Sequence, residues 1–178
     1  MSLQDYYQHK TVLLTGAAGF IGSHLSERLL ELGANVIGVD NFITGQKQNL
    51  AEVLQDNPQA ENFTLIEADV NQPPESYLPQ DEKIDLVLHF ASPASPPRYQ
   101  AYPRLTYLVN SWGTHQLLDY VYSTNPEARF LFASTSEVYG DPEVHPQTED
   151  YWGNVNPNGP RSCYDEAKRL GEAICGVY

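Results

Sequence analysis

The stretch TVLLTGAAGFIGSHL, residues 11–25, contains the pattern that decides the fold. Residues 11–15 suit a buried strand, the glycine pattern G-x-x-G-x-x-G follows at residues 16–22, and an apolar helical repeat begins there. Glycines in such a turn let the backbone approach a pyrophosphate, and the N-terminus of the next helix faces its negative charge. This strand, turn and helix order predicts the start of a dinucleotide-binding unit. The alternative is a glycine turn that only packs a helix against a strand.

Four further apolar runs predict strands, at residues 35–40, 63–68, 85–90 and 129–134. Helical spacing occurs between them, with one face carrying Ile21, Leu25 and Leu29 and another carrying Leu105, Leu108, Val109, Trp112 and Leu117. A last helix is predicted from about Arg161 to the end. Strands that alternate with helices favour an α/β fold of the Rossmann type, a doubly wound parallel sheet. We treat residues 1–178 as one domain whose fifth strand lies at a sheet edge.

Composition excludes several classes of function. The net charge is −13, from 23 acidic and 10 basic residues, and this opposes nucleic-acid binding. No apolar run has the length of a membrane span, and the first ten residues lack the apolar core of a signal peptide. The 2 cysteines do not form a disulfide framework, and a reducing cytoplasm is therefore expected. The 5 histidines are scattered without metal-ligand spacing, so no metal site is predicted.

The second predicted strand ends in Asp40, about 20 residues beyond the glycine loop. A carboxylate at this place accepts hydrogen bonds from a ribose diol and repels a 2′-phosphate. The cofactor expected is therefore NAD rather than NADP. Asp69 and Val70, after the third strand, either flank the adenine or form an ordinary strand-end turn.

These residues resemble the extended short-chain dehydrogenase/reductase family. The resemblance is carried by TGAAGFIGSHL at 15–25, Asp40-Asn41, the N-x-x-G-T stretch at 110–114 and the Y-x-x-x-K pair at 164–168. Within the family, further stretches look like UDP-glucuronate decarboxylases: NFITG at 41–45, SPASPP at 92–97, STSEVYGDPEVHPQTEDYWG at 134–153 and GPRSCYDE at 159–166. The related NDP-sugar 4,6-dehydratases carry T-D-E where this chain has Thr135-Ser136-Glu137. Ser136 in place of their acid favours decarboxylation over dehydration.

The glycine motif and the resemblance together assign the site residues. Cofactor binding is expected from Gly16, Gly19, Phe20, Ile21, Gly22, Asp40, Asn41, Ile43, Thr44, Asp69, Val70, Phe90, Ser92, Tyr164 and Lys168. Substrate contacts are expected from Tyr99 and Asn110. The catalytic residues are expected to be Thr135, Ser136, Glu137, Tyr164 and Lys168.

Tyr164 and Lys168 are four residues apart, so both project from one face of a helix. The Lys168 ammonium is expected to lower the pKa of Tyr164, whose phenolate then takes a proton from the sugar 4-hydroxyl. Thr135 would orient the same oxygen, while Ser136 and Glu137 would lie near C5 and its carboxylate. The resemblance implies conversion of UDP-glucuronate to UDP-xylose through a 4-keto sugar. A surface Tyr–Lys pair, and a capping role for Glu137, are the plainer alternatives.

Two features depart from the family. The chain ends at Tyr178, so the usual C-terminal substrate-binding part is expected to be missing. Leu108 stands where the decarboxylases typically have a lysine. A non-catalytic NAD-binding module and a dehydratase or epimerase relative therefore remain as alternatives. The apolar stripes of the helices near residues 103–122 and 164–178 resemble those that pair in family homodimers, so a homodimer is expected.

Overall fold

Five parallel strands form a single sheet in the computed structural model, which describes residues 2–80 and 82–178. The strands are β1 (Thr11–Thr15), β2 (Asn35–Asp40), β3 (Phe63–Glu67), β4 (Leu86–His89) and β5 (Arg129–Phe132). Their order is β3-β2-β1-β4-β5, and every neighbouring pair is parallel. The predicted Rossmann-type sheet is confirmed, with strand ends within two residues of those expected. As predicted, β5 lies at an edge of this sheet.

Seven α-helices surround the sheet in the described residues. They are α1 (Leu3–Tyr7), α2 (Phe20–Glu31), α3 (Lys47–Leu54), α4 (Pro96–Ala101), α5 (Pro103–Leu108), α6 (Thr114–Thr124) and α7 (Ser162–Val177). Three 3₁₀ turns lie at Ala60–Asn62, Pro74–Ser76 and Ser136–Tyr139, and a π-helical turn lies at Val109–Gly113. The short α1 was not predicted, although its capping box between Ser2 and Asp5 is visible in the sequence. None of the described helices has the length and apolar character needed to cross a bilayer.

Two separate cores cover the two faces of the sheet. Leu13 of β1 and Val87 of β4 pack with Leu117 and Val121 of α6 on one face. On the other face, alternate strand residues pack against helix α2. Tyr7 of α1 and Leu54 of α3 pack against the same cluster. Because side chains alternate along a strand, one apolar run supplies both cores. This explains why all five residues of β1 are buried.

Helix α2 packs on the sheet through small residues as well as leucines. Its buried residues are Gly22, Ser23, Ser26, Leu29 and Leu30. The predicted apolar face was wrong at Ile21, which is 57% exposed. A Cβ at Gly22 would lie 2.1 Å from the Gly16 carbonyl oxygen. The close contact between loop and helix therefore needs small side chains at the helix start, and it leaves Ile21 on the outside.

The helix predicted across residues 103–122 is interrupted by the π-helical turn at Val109–Gly113. The extra residue in that turn rotates the following side chains relative to a regular α-helix. Val109, at the start of the turn, and Leu117, after it, are buried, whereas Trp112, predicted on the same face, is 50% exposed. Regular spacing could not reveal this change of phase, because the π-turn depends on partners from other elements.

Replacing Gly22 with alanine should lower the free energy of unfolding by about 3 kcal/mol, since the new methyl group would overlap backbone atoms that cannot move away cheaply. Urea denaturation measures the loss. The matched control is Gly176→Ala in α7, where a Cβ meets nothing within 4 Å. That variant should be stabilised by about 0.5 kcal/mol because alanine favours a helix. Equal stability of the two variants would contradict the close contact.

Candidate active site

A cleft lies where the strand order reverses, between the carboxyl ends of β1 and β4. Ligands of open parallel sheets bind at such a point because two loops diverge there. The cleft is partly open to solvent and has about 490 Å³ of space between its lining residues. Ten of the residues predicted to bind the cofactor line it: Gly16, Gly19, Asp40, Asn41, Ile43, Thr44, Asp69, Val70, Phe90 and Ser92. The structure therefore brings together residues from four separate loops.

Asp40 sits at the edge of this cleft with its carboxylate largely buried. One oxygen accepts a hydrogen bond from the Ala18 amide at 2.9 Å, and the other accepts one from the Phe42 amide at 2.8 Å. Burial raises the pKa of Asp40, while these amide hydrogen bonds act in the opposite direction. The Asn41 amide also hydrogen-bonds to the carboxylate, which leaves about one of its roughly four lone pairs free. Asp40 thus ties the glycine loop to β2 and can still accept a hydrogen bond from a ribose.

The start of α2 suits a dinucleotide phosphate. Gly19 occupies the cap position, and no side chain caps the helix. The first amide groups of an uncapped helix have no internal acceptor, so they are available to a ligand. Phe20 and Ile21 are exposed beside them. Together with the cleft and the remaining acceptor position of Asp40, this uncapped helix start fits a dinucleotide such as NAD.

Tyr164 and Lys168 lie on the buried face of α7, near the end of β5, and do not line the cleft itself. The Tyr164 ring stacks on Tyr99 with centroids 4.9 Å apart and planes within 6°. The Lys168 ammonium donates a hydrogen bond to the Ala133 carbonyl and lies 4.6 Å from the centre of the Phe132 ring. Both side chains are therefore fixed by their surroundings, unlike an exposed pair on a helix.

The pKa of Tyr164 differs from the value that the sequence led us to expect. Burial raises the pKa of Tyr164, a hydrogen bond with Thr135 lowers it, and the charges of Glu137 and Asp165 raise it further. Burial also lowers the pKa of Lys168 to about 8. The expected lowering of the Tyr164 pKa by Lys168 was wrong for this structure, because the ammonium is turned to Ala133 and lies 5.8 Å from the Tyr164 ring centre.

The stretch after β5 brings Thr135 and Glu137, two of the other predicted catalytic residues, close to Tyr164. Thr135 caps the 3₁₀ turn by accepting a hydrogen bond from the Glu137 amide at 3.3 Å. Ser136 is exposed, and Glu137 is half-buried. The Glu137 carboxylate forms an ion pair with Arg161, with 2.7 Å between Nη1 and Oε2. Hydroxyl and carboxylate groups thus meet the phenol at the end of a parallel strand.

The two residues predicted to contact substrate, Tyr99 and Asn110, are both buried in this structure. Tyr99 is 2% exposed under the Tyr164 ring, and Asn110 is fully buried. The Asn110 amide donates to the Ser92 hydroxyl at 2.9 Å and to the Thr106 carbonyl at 2.8 Å. Neither residue lines the cleft, and their contact with substrate stays a prediction.

Several residues of the site were missed by sequence reasoning. Ala68, Ala91, Pro93, Leu105 and Val109 also line the cleft. Arg161 contacts Glu137 and also approaches the buried carboxylate of Asp165, with 3.6 Å between Nε and Oδ2. The GPRSCYDE stretch contained this signal, since a cation and an anion four residues apart meet on a helix. Among the described residues, no group of three or more potential metal ligands is present.

The amino-acid sequence matches known proteins over most of its length. Residues 13–178 match the family model described as GDP-mannose 4,6 dehydratase. The chain is 50% identical over 169 residues to UDP-glucuronic acid decarboxylase 1 of Danio rerio, covering 95% of this chain and 38% of that protein. It is 46% identical over 174 residues to UDP-glucuronic acid decarboxylase 6 of Arabidopsis thaliana, covering 97% and 47%. The chain therefore spans less than half the length of these relatives.

Solved structures of a dehydratase and an epimerase share the fold of this chain over about half of their length. The dTDP-glucose 4,6-dehydratase DesIV of Streptomyces venezuelae, with NAD and TYD bound, aligns with a TM-score of 0.76 at 28% identity. The alignment covers 94% of this chain and 51% of DesIV. UDP-glucose 4-epimerase of Bifidobacterium longum, in complex with NAD+ and UDP, aligns with a TM-score of 0.75 at 30% identity, covering 94% and 49%.

The buried Lys168 should make stability depend on pH. Its pKa is about 8 in the folded chain against an ordinary 10.5, so burying the ammonium is unfavourable near neutral pH. The penalty shrinks as pH rises from about 8 towards 10.5. Between pH 7.5 and 9.5 the wild type should gain about 2 kcal/mol in unfolding free energy relative to Lys168→Met, as measured in urea.

The control for this measurement is Lys47→Met. Lys47 is exposed and pairs with Glu67 at 2.8 Å. The difference between this variant and the wild type should stay constant over the same pH range. A constant difference for Lys168→Met as well would show that Lys168 is not buried as a cation.

Proposed function

The chain belongs to the GDP-mannose 4,6-dehydratase family, and on that premise we propose that it is the NAD-binding part of an enzyme that modifies a nucleotide sugar. The reaction we assign is decarboxylation of UDP-glucuronate to UDP-xylose. In this proposal, residues 1–178 form one NAD-binding domain. The observation that carries it is the meeting of Thr135, Glu137 and Tyr164 beside a cleft that fits a dinucleotide. The likeness to two UDP-glucuronic acid decarboxylases supports the choice of substrate.

The cofactor part of the proposal assigns places to the pyrophosphate and the adenosine ribose of NAD. The amides at the start of α2 would receive the pyrophosphate, and Asp40 would accept a hydrogen bond from the adenosine ribose. A 2′-phosphate at that point would meet the Asp40 charge, which favours NAD over NADP. When bound, NAD supplies the hydride acceptor that oxidation of a sugar carbon requires.

The chemical steps fall to residues after β5 and on α7. Tyr164 would take the proton of the sugar 4-hydroxyl, and Thr135, its hydrogen-bond partner, would orient that oxygen. A ketone at C4 makes the adjacent C5 carboxylate a β-keto acid, which loses carbon dioxide as electrons move to the 4-oxygen. Thr135 and Tyr164 could then stabilise the developing charge on this oxygen. Ser136 and Glu137 would act near C5, where a proton replaces the lost carboxylate. Return of the hydride to C4, with Tyr164 giving its proton back to the 4-oxygen, would then complete UDP-xylose.

The pKa values suggest how the proton transfer is arranged. Because burial raises the pKa of Tyr164, its resting form at neutral pH is the neutral phenol. The hydrogen bond with Thr135 opposes that effect, whereas Glu137 reinforces it. The ion pair with Arg161 offsets the Glu137 charge. Thr135 and Arg161 therefore help to make Tyr164 a usable base, while Lys168 holds the strand end through Ala133.

Two other functions remain as outcomes of the test. A non-catalytic NAD-binding module is favoured by Leu108, which stands where the decarboxylases typically have a lysine. A dehydratase or epimerase reaction is favoured by the solved relatives, which include both types. Ser136 argues against dehydration because a serine is a poor general acid. Measuring which substrate, if any, is converted separates the proposed decarboxylase from these two alternatives.

Calorimetric titration with NAD, then with UDP-glucuronate, tests the proposal. Saturable binding of both ligands, followed by release of carbon dioxide and formation of UDP-xylose, is expected. NAD binding without any binding or conversion of the sugar nucleotide would instead identify a non-catalytic module. Absence of NAD binding by folded chain would overturn the assignment of the cleft.

A variant checks the role of Asp40 within the same experiment. Asp40→Asn keeps the shape of the side chain but loses one acceptor, so NAD affinity should fall about tenfold. Affinity for NADP should fall less, because the repelling charge is gone. Glu52→Gln, which changes an exposed acid on α3, is the matched control and should leave both affinities unchanged.

We also propose that the chain forms a homodimer through α6 and α7. Trp112, Tyr122, Leu170 and Val177 expose large apolar surfaces on or beside these helices. Apolar patches of this kind usually bind a partner. Sedimentation should show a dimer that Tyr122→Asp weakens, while Leu65→Asp, at the exposed edge strand β3, leaves it intact. A monomeric wild type would contradict the proposal.

A further inference from the structure

His89, at the end of β4, makes two side-chain hydrogen bonds that the proposed chemistry does not use. The side chain is 1% exposed and lies beside the rings of Phe130 and Phe132. Its Nδ1 is 2.6 Å from the Thr15 hydroxyl oxygen, and its Nε2 is 3.2 Å from the Val109 carbonyl oxygen. Both ring nitrogens are therefore engaged, although the residue is inside a core.

The partners of His89 determine where its proton lies. A carbonyl oxygen can only accept, so Nε2 must carry the hydrogen that is donated to Val109. A neutral ring then leaves Nδ1 as an acceptor, and the Thr15 hydroxyl donates to it. Burial, together with the charge of Lys168, lowers the pKa of His89 to about 3, so the ring is neutral at ordinary pH.

The hydrogen bonds continue beyond Thr15 in one direction. The Thr15 hydroxyl oxygen accepts from the Ala91 amide at 3.2 Å, donates its proton to His89, and His89 donates to Val109. This series, which we term the His89 chain, joins three segments. They are the end of β1 just before the glycine loop, the loop after β4, and the π-helical turn.

The three segments joined by the His89 chain form one side of the cofactor cleft. Gly16, Ala91, Ser92 and Val109 all line it. The π-helical turn places Asn110 so that its amide donates to the Ser92 hydroxyl, which adds a second bond between the turn and the loop after β4. Gly16 packs so closely on the same loop that a Cβ there would lie 2.8 Å from the Ala91 amide nitrogen. Small movements of any one segment would therefore change the width of the cleft.

We propose that His89 is a positioning residue which, as the neutral Nε2–H tautomer, holds the glycine loop, the Ala91–Ser92 loop and the π-helical turn at the spacing that a dinucleotide requires. The inference rests on the proposed binding of NAD. A leucine of similar volume would fill the core equally well but would leave the Thr15 hydroxyl and the Val109 carbonyl without this link. A purely space-filling residue would need neither ring nitrogen.

Nitrogen-15 NMR of the ligand-free chain tests the His89 chain directly. The expected spectrum shows a protonated Nε2 and an unprotonated Nδ1 for the resonance that disappears in His89→Gln. A ring protonated at Nδ1, or rapid exchange between the tautomers, would overturn the inference. This measurement does not depend on whether NAD binds.

Binding to NAD then separates positioning from general stability. His89→Leu should weaken NAD affinity about tenfold in calorimetry. Leu117→Ala, a change at a fully buried residue of α6 that does not line the cleft, should lower the melting temperature but leave NAD affinity within about twofold. His89→Gln, whose amide can still donate to Val109, should recover part of the affinity lost in His89→Leu.

The outcomes distinguish this inference from the proposed function. Wild-type binding with unchanged affinity in His89→Leu would overturn the positioning role and leave the cofactor assignment intact. Failure of the wild type to bind NAD would overturn the cofactor assignment, and the positioning role with it. If His89→Leu does not fold, His89→Gln provides the comparison, and an affinity loss no greater than that of Leu117→Ala would count against the inference.

Discussion

The contact between the Gly16 carbonyl and the first turn of α2 is the constraint on which the rest of the structure depends. No side chain larger than hydrogen fits at Gly22, because a Cβ would lie 2.1 Å from that oxygen. The helix can therefore approach β1 closely, and its uncapped amides face the cleft. The same loop is tied to β2 through the hydrogen bond from the Ala18 amide to Asp40. One close approach thus positions the helix start, the acid and the cleft between them.

The candidate active site also contains a buried charge that opposes stability. Lys168 is buried with its pKa lowered to about 8, whereas Tyr164, whose pKa burial raises, stays a neutral phenol at neutral pH. The ammonium is held by the Ala133 carbonyl and the Phe132 ring, and the phenol by the Tyr99 ring and Thr135. Polar groups buried at such a cost are typical of functional sites, since a stable core alone would favour apolar residues.

Much of this arrangement could be predicted from the sequence, because it depends on local patterns. The strand at residues 11–15, the glycine spacing and Asp40 at the next strand end predicted the sheet. Together with the family resemblance, they predicted ten residues of the cleft. The prediction failed where a residue's position depends on distant neighbours. Trp112 was placed on a buried face because nothing in the sequence marks the π-helical turn. Lys168 was expected to lower the Tyr164 pKa, but contact with Ala133 directs its ammonium elsewhere.

By itself, the sequence determined the class of fold, the order of its elements and the glycine loop. These follow from the periods of apolar residues and from the conformations that glycine allows, both of which are local properties. Only the tertiary structure decided that Tyr99 and Asn110 are buried, that Arg161 pairs with Glu137, and that His89 joins Thr15 to Val109. The reason is physical: these contacts join residues from about 20 to more than 70 positions apart, and which atoms meet depends on how the layers pack.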